Sequence, residues 1–316
     1  MALLWVALFV AAASIALNVA VQKTYVVHST GVVVVTGAST GIGRHFVETF
    51  AAKYANMTVL AGVRKESDAA SIRAVGLANL QPWVVDVTSE SSCAEAAEAV
   101  KKLLSEKSLP LVALVNNAGT SQNFPIEYHE MSALKSLYEI NVFGMVRMTQ
   151  LLLPTLRRDQ GRVVQISSLN GRIATPRSGA YASTKFAMEA ISDSLRREVA
   201  PFGVSVSVVE PAYVKSAIFS KVAEAAQKFD SEHSSESAQS KEVYAHLFTE
   251  KKLAAKRKDL TLADEPTVTT RVIEDAIVSA TPQTRYVVAN VGGVPAAVLN
   301  WIVWLVPDRV ADVMLA

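Results

Sequence analysis

Residues Val32–Gly43 read VVVVTGASTGIG. Four consecutive valines make a buried strand. β-branched side chains suit extended backbone, and an apolar run without polar alternation suits a strand covered on both faces. The strand runs directly into a turn with glycines at 37, 41 and 43, and a helical pattern over Gly41–Tyr54 follows. Glycine lets a backbone turn tightly and approach a pyrophosphate, whose charge then meets the positive end of the helix. Gly37, Ser39, Gly41, Ile42 and Gly43 are therefore candidate nucleotide contacts. The spacing is G-x-x-x-G-x-G rather than G-x-G-x-x-G, and a plain tight strand–helix turn would also use glycines here.

The same alternation continues along the chain. Short apolar runs at Val32–Thr36, Thr58–Val63, Pro82–Val85, Leu111–Asn116, Arg162–Ser167 and Val204–Val209 are separated by helical patterns. The expected helices are Gly41–Tyr54, Ser89–Lys107, Ser132–Leu156, Ala180–Ala200 and Asp264–Ala280. Strand–helix alternation implies an α/β fold, a Rossmann-like doubly wound parallel sheet of about seven strands, with Arg285–Ala289 as the seventh. One domain over 30–290 results. The polar stretch Ser216–Leu260 interrupts the pattern, with SEHSSESAQS at its centre and the basic KKLAAKRK near its end. It reads as a lid, with helical pieces around Ala223–Lys228 and Glu242–Ala255. The basic run Lys251–Lys258 reads as a solvated helix face or a contact for anionic lipid or phosphate.

Half of the 316 residues are apolar, 19% are charged, and the net charge is +2. That excludes a disordered chain, and the near-zero balance argues against a nucleic-acid partner. Long charged stretches between the apolar ends exclude a polytopic membrane protein. The single cysteine, Cys93, allows neither an internal disulfide nor a cysteine zinc cluster. No metal spacing links His28, His129 and His233.

Residues 1–22 carry no charged side chain. As a helix they would extend about 33 Å at ~1.5 Å per residue, enough to span a bilayer core. The expected reading is an uncleaved N-terminal membrane anchor. A cleaved signal peptide and an interfacial helix are the alternatives. Lys23, His28 and Arg44 follow the segment, which puts the catalytic domain on the cytosolic side, at the endoplasmic reticulum or another internal membrane. The sequon Asn56-Met57-Thr58 would matter only in the opposite orientation. The apolar C-terminal segment, residues 291–316, reads as a buried core helix, the edge of a substrate pocket, a subunit contact or an interfacial dip into the membrane.

Three motifs stand in order: T-G-x-x-x-G-x-G at Thr36–Gly43, N-N-A-G at Asn116–Gly119 and Y-x-x-x-K at Tyr181–Lys185. Together they resemble the short-chain dehydrogenase/reductase family, over roughly Thr30–Ser216. The stretch from Ser167 through Pro211 and the late VPDRV are similar to its hydroxysteroid and retinol dehydrogenase branch.

Tyr181 and Lys185 lie four apart and share one helix face. A tyrosine of ordinary pKa ~10 is a poor base at neutral pH, and a nearby ammonium would lower that pKa. The resemblance implies Tyr181 as acid/base, Lys185 also holding the nicotinamide ribose, Ser168 binding the substrate oxygen and Asn141 supporting a water chain to the lysine. It further implies that Asp86 and Val87 flank the adenine and that Asn117, Ala118 and Gly119 line the cofactor. Pro211, Val214 and Ser216 would contact the nicotinamide, with Ala212 where the family usually has glycine.

NAD sites usually carry an acid at the end of the second strand to bind the ribose hydroxyls. Here Ala61-Gly62-Val63 is followed by Arg64 and Lys65. A guanidinium at this place grips a 2′-phosphate, so NADP(H) is favoured, with NAD(H) the alternative. The expectation is a membrane-anchored, metal-free NADP(H) oxidoreductase acting on an alcohol or carbonyl of an apolar substrate such as a steroid, retinoid or lipid. An NAD-dependent alcohol dehydrogenase of the same fold and a non-catalytic nucleotide-sensing scaffold are the competing readings. The family suggests a homodimer through the helices Ser132–Leu156 and Ala180–Ala200.

Overall fold

The computed structural model describes residues 17, 20–216 and 234–315. Seven strands form one parallel sheet: β1 (Gly31–Val35), β2 (Met57–Val63), β3 (Leu80–Val84), β4 (Leu111–Asn116), β5 (Arg162–Ile166), β6 (Ser205–Pro211) and β7 (Arg285–Val288). Their order is β3-β2-β1-β4-β5-β6-β7. β1 is central and pairs on both sides, Val33 with Val59 of β2 and with Ala113 of β4. The chain leaves β1 toward β2 on one side, then returns to build β4 on the other. That reversal opens a crevice above the ends of β1 and β4, where ligands of such sheets bind.

Each strand alternates its side chains between two apolar layers. Val33 and Val35 pack with Phe46 and Phe50 of α1 (Gly41–Lys53) and with Ile273 of α9 (Thr267–Val278). Val32 and Val34 pack on the other face with Val100 of α3 (Glu90–Lys107) and with Met148 and Leu152 of α5 (Gly144–Asp159). The expectation of strands covered on both faces is thereby met.

Other elements depart from the expectation. A short helix, α2 (Glu66–Arg73), joins β2 to β3; its first turn carries Glu66 and Asp68, which suit a helix N-terminus. The helix expected over Ser132–Leu156 is divided. α4 (Met131–Tyr138) passes through one wide π-turn, Glu139–Phe143, before α5 begins. α6 (Gly179–Val199) forms as expected.

In the expected lid, residues 217–233, with the predicted piece Ala223–Lys228, lie outside the described residues. The helix expected over Glu242–Ala255 is instead two, α7 (Ser234–Val243) and α8 (Glu250–Thr261), with Thr249 accepting a hydrogen bond from the backbone N–H of Lys252. Threonine at that point is a helix N-cap, so the chain starts a new helix rather than continuing one.

After β7 a small antiparallel pair, Asn290–Val291 with Val294–Pro295, leads into α10 (Ala296–Leu305) and α11 (Asp308–Leu315). α10 is not a buried core helix. Leu299 and Val303 pack against Leu169, Ile173, Ala212 and Val287, while Trp301, Trp304 and Leu305 face outward, each well over half exposed. Among the described residues no helix is long and apolar enough to cross a membrane. The anchor expected over residues 1–22 lies almost wholly outside them.

Candidate active site

The nucleotide end of the crevice is built by hydrogen bonds between the ends of β1 and β4. Thr36 Oγ1 accepts from the backbone N–H of Asn117 and of Ala118, each at 3.0 Å. The Asn117 side-chain amide donates back to the carbonyls of Thr36 at 3.0 Å and Gly37 at 2.9 Å. The packing they hold leaves no room for a side chain at Gly37 or Gly43. A Cβ on Gly37, whose φ is +66°, would stand 2.7 Å from Ala118 Cα, and one on Gly43 would stand 2.4 Å from Asn117 Nδ2. The glycines are thus demanded by the fit of the turn to β4 as well as by the helix that follows.

A single cavity runs over this turn. Gly37, Ser39, Gly41 and Ile42 line one end, and Arg64, Asp86 and Val87 come in from the ends of β2 and β3. Asn117, Ala118 and Gly119 form the middle, and Ser168, Tyr181 and Lys185 follow. Pro211, Ala212, Val214 and Ser216 close the far side. All the sequence-predicted residues therefore meet in one place except Gly43, which packs beneath the turn, and Asn141, which stands behind the wall. The β2 end carries no acid. Glu66 is held by Arg73 at 2.6 Å, and exposed Arg64 has no hydrogen bond or ion pair among the described residues. Burial works to raise the Asp86 carboxyl, but its two hydrogen bonds from Thr88 and the charge of Arg64 outweigh that and hold it below the usual range.

Tyr181 lies in the first turn of α6, where the preceding loop is pinned by Ser178. The Ser178 hydroxyl receives the Thr175 N–H at 2.9 Å and the Asn170 side-chain amide at 3.1 Å. Ser168 Oγ accepts from the Asn170 N–H at 3.1 Å, which fixes it at the end of β5 beside the Tyr181 hydroxyl. One turn on, Lys185 Nζ donates to the Ile166 carbonyl at 2.9 Å and lies 5.7 Å from the Tyr181 ring centroid.

The electrostatics reverse one expectation. Burial pushes the Tyr181 phenol up to about 12, which the Ser168 hydroxyl only partly offsets. Burial also pushes Lys185 down to about 8, against the pull of the Glu189 carboxylate. Desolvation is the largest influence on both groups, and Tyr181 stands as a neutral phenol at neutral pH.

Asn141 is fully buried in the π-turn. Its side chain receives the Thr120 N–H and donates to the Thr120 carbonyl, both at 2.9 Å, and to Thr184 Oγ1 at 3.0 Å. A Cβ on Gly119 would lie 3.4 Å from Asn141 Oδ1 and 3.8 Å from Lys185 Nζ, so the amide and the ammonium converge on the same point. Sequence reasoning missed Thr36, Thr120 and Thr184. Thr36 and Thr184 stand inside quoted motifs, and that placement was the available signal.

A doubly wound parallel sheet with a glycine turn at its switch point and a Tyr–Lys pair in the same cavity defines a nucleotide-dependent oxidoreductase. The profile of the short chain dehydrogenase family matches residues 31–227, and the chain belongs to that family. It is 34% identical to an NADPH-dependent 3-dehydrocapnine reductase of Ornithobacterium rhinotracheale over 284 residues, 88% of this chain and 94% of that protein. It is 34% identical to retinol dehydrogenase 16 of Homo sapiens over 256 residues, 80% of this chain and 79% of that protein. It is 33% identical to 17-beta-hydroxysteroid dehydrogenase type 6 of Bos taurus over 261 residues, 80% and 79% of the two chains. Within the family it therefore falls with the hydroxysteroid and retinol dehydrogenase branch, as an oxidoreductase acting on CH–OH or C=O groups.

Proposed function

We propose that the protein moves a hydride between NADP(H) and an alcohol or carbonyl on an apolar, lipid-like substrate while attached to a membrane. One observation carries the cofactor choice. Arg64 makes no hydrogen bond or ion pair among the described residues, acts on Asp86 through its charge alone, sits at the β2 end and lines the same cavity as Tyr181. A planar guanidinium suits a 2′-phosphate, and no acid at that strand end repels one. The similarity to a relative named NADPH-dependent agrees with it. The glycine turn, with no space for a Cβ at 37 or 43, fits a pyrophosphate held close to backbone.

The residues divide the chemistry as follows. A nicotinamide bound in the cavity supplies or accepts the hydride. The Tyr181 phenol donates the proton to the carbonyl oxygen in reduction and recovers it in oxidation. Ser168 holds that oxygen. The Lys185 ammonium stabilises the phenolate left after transfer, and Asn141 fixes the wall behind it through Thr120 and Thr184. Attachment rests on the uncharged residues 1–22 and on the outward tryptophans of α10.

The test is titration with NADPH and NADH by fluorescence, before and after Arg64→Ala. Wild type should prefer NADPH. The variant should lose at least tenfold in NADPH affinity, about 1.4 kcal/mol, with little change for NADH. Equal losses for the two cofactors would remove the 2′-phosphate argument and leave the NAD-dependent reading.

A further inference from the structure

Arg177 lies between Ser168 and Tyr181 in the connection that leaves β5. Its backbone has φ +67°, the left-handed region where glycine is at ease and arginine is not. The strain comes from the turn itself. The Ser178 N–H closes on the Thr175 carbonyl at 3.0 Å with Pro176 and Arg177 at the centre, and the second central place of such a turn with φ positive is ordinarily glycine.

Stacking on Phe248 is the one contact of the side chain that could account for that among the described residues. Among the described residues two arginines are pulled below their usual pKa by burial, Arg162 and Arg177. Arg162 is compensated: it donates to the carbonyls of Val26 and Ala276. Among the described residues Arg177 makes neither a hydrogen bond nor an ion pair; its guanidinium carbon lies 4.8 Å from the ring centroid of Phe248, and burial lowers its pKa with no carboxylate to offset it. A half-buried guanidinium stacked on an aromatic ring with five unused donors is an anion receptor awaiting its anion.

Its position says whose anion. Gly179 packs on Ile126 in the connection after β4, and the Tyr244 hydroxyl donates to Glu127 at 2.8 Å. Phe248 belongs to the connection after β6. The segments leaving β4, β5 and β6 therefore meet around Arg177 at the carboxyl ends of the strands, the side on which substrate must enter.

We propose that Arg177 is a specificity-determining residue that binds an acidic group, a carboxylate or its sulfonate or phosphate equivalent, at the far end of the substrate. The substrate class becomes an apolar chain with an alcohol or carbonyl at one place and an anion at another. This rests on Tyr181 and Ser168 receiving the reacting oxygen.

The experiment uses the full chain in detergent with saturating NADPH. Calorimetry compares decanoate with decanol for wild type, Arg177→Gln and Arg177→Gly. Wild type is expected to bind decanoate at least tenfold more tightly than decanol. Both variants should lose that preference and keep the decanol affinity. Arg177→Gly should melt no lower than wild type, because glycine relieves the left-handed turn, whereas a merely structural arginine would lower the melting temperature on removal. Equal or absent binding of the two ligands to wild type overturns the proposal, as does a preference that survives in the variants. An effect seen only with phosphatidylserine vesicles would assign Arg177 to a lipid headgroup and also overturn it. Tyr181→Phe keeps the two readings apart: the decanoate preference must persist in it whether or not turnover is lost.

Discussion

Tyr181 and Lys185 carry opposite costs that the fold has accepted for chemistry. Tyr181→Phe removes only the phenolic oxygen from a ring already packed in the cavity wall, so turnover should disappear while NADPH binding stays within a few-fold of wild type. Retained turnover would refute its place as proton donor. Lys185 gives a prediction with a pH signature. Its pKa is about 8 in the folded protein and 10.5 in the open chain, so between those values the unfolded state holds more protons and stability rises with pH. Below pH 8 the full cost of burying the ammonium is present, at most about 3 to 4 kcal/mol for a shift of this size. Lys185→Met should therefore be more stable than wild type at pH 7, by less than that limit because the bond to the Ile166 carbonyl is lost. The gap should close as pH approaches 10, above which the tyrosine of the unfolded chain ionises while Tyr181 keeps its proton to about 12, so that both proteins lose stability together. Guanidinium unfolding at pH 7 and pH 10 measures it. A gap that does not change with pH would mean that Lys185 is not a buried cation.

At the scale of elements, local chemistry decided what could be read from the chain. β1 and β4 were legible because VVVV and LVALV leave an extended, doubly covered strand as the only economical use of such runs. α2 was not, because ESDAASIR buries only Ala69 and Ile72 and shows too little apolar face to announce itself. The π-turn at Glu139–Phe143 was illegible for a different reason. Its residues have ordinary helical character, and the extra residue per turn is set by where Asn141 must reach, to Thr120 and Thr184. Such single-turn expansions gather at functional sites, and this one carries the amide behind Lys185. The site followed the same division. Motif residues separated by a hundred positions were legible because the resemblance supplied their common destination. Arg177 and Phe248 belong to no motif, and only the folded turn shows that one lies on the other.

At the scale of the whole molecule, the residues that follow the N-terminal apolar segment and the C-terminal helix α10 both reach the β7 edge of the sheet. The described part of the N-terminal segment reaches the protein beside β7: Gln22 donates to the Thr281 carbonyl and the Tyr25 N–H to that of Ala280. α10 packs on the same strand through Leu299 and Val303 and turns Trp301, Trp304 and Leu305 outward, with Val313 of α11 beside them. Its inner neighbours Leu169 and Ala212 adjoin Ser168 and Pro211 of the cavity, so an apolar molecule leaving a bilayer at this edge would have a short way to the reacting groups. Tryptophans exposed on a short apolar helix suit the headgroup boundary, where the ring is half apolar and half wet. On the proposed reading, attachment is a two-part property. Removing residues 1–22 should weaken binding to phosphatidylcholine vesicles without abolishing it, and the tryptophan emission of the shortened protein should shift to the blue on mixing. Adding Trp301→Glu and Trp304→Glu should release it, because a charge at each of those places must stay in water, while its NADPH affinity is unchanged. If the shortened protein already floats free of vesicles, the face of α10 is no lipid contact and residues 1–22 are the whole of the attachment.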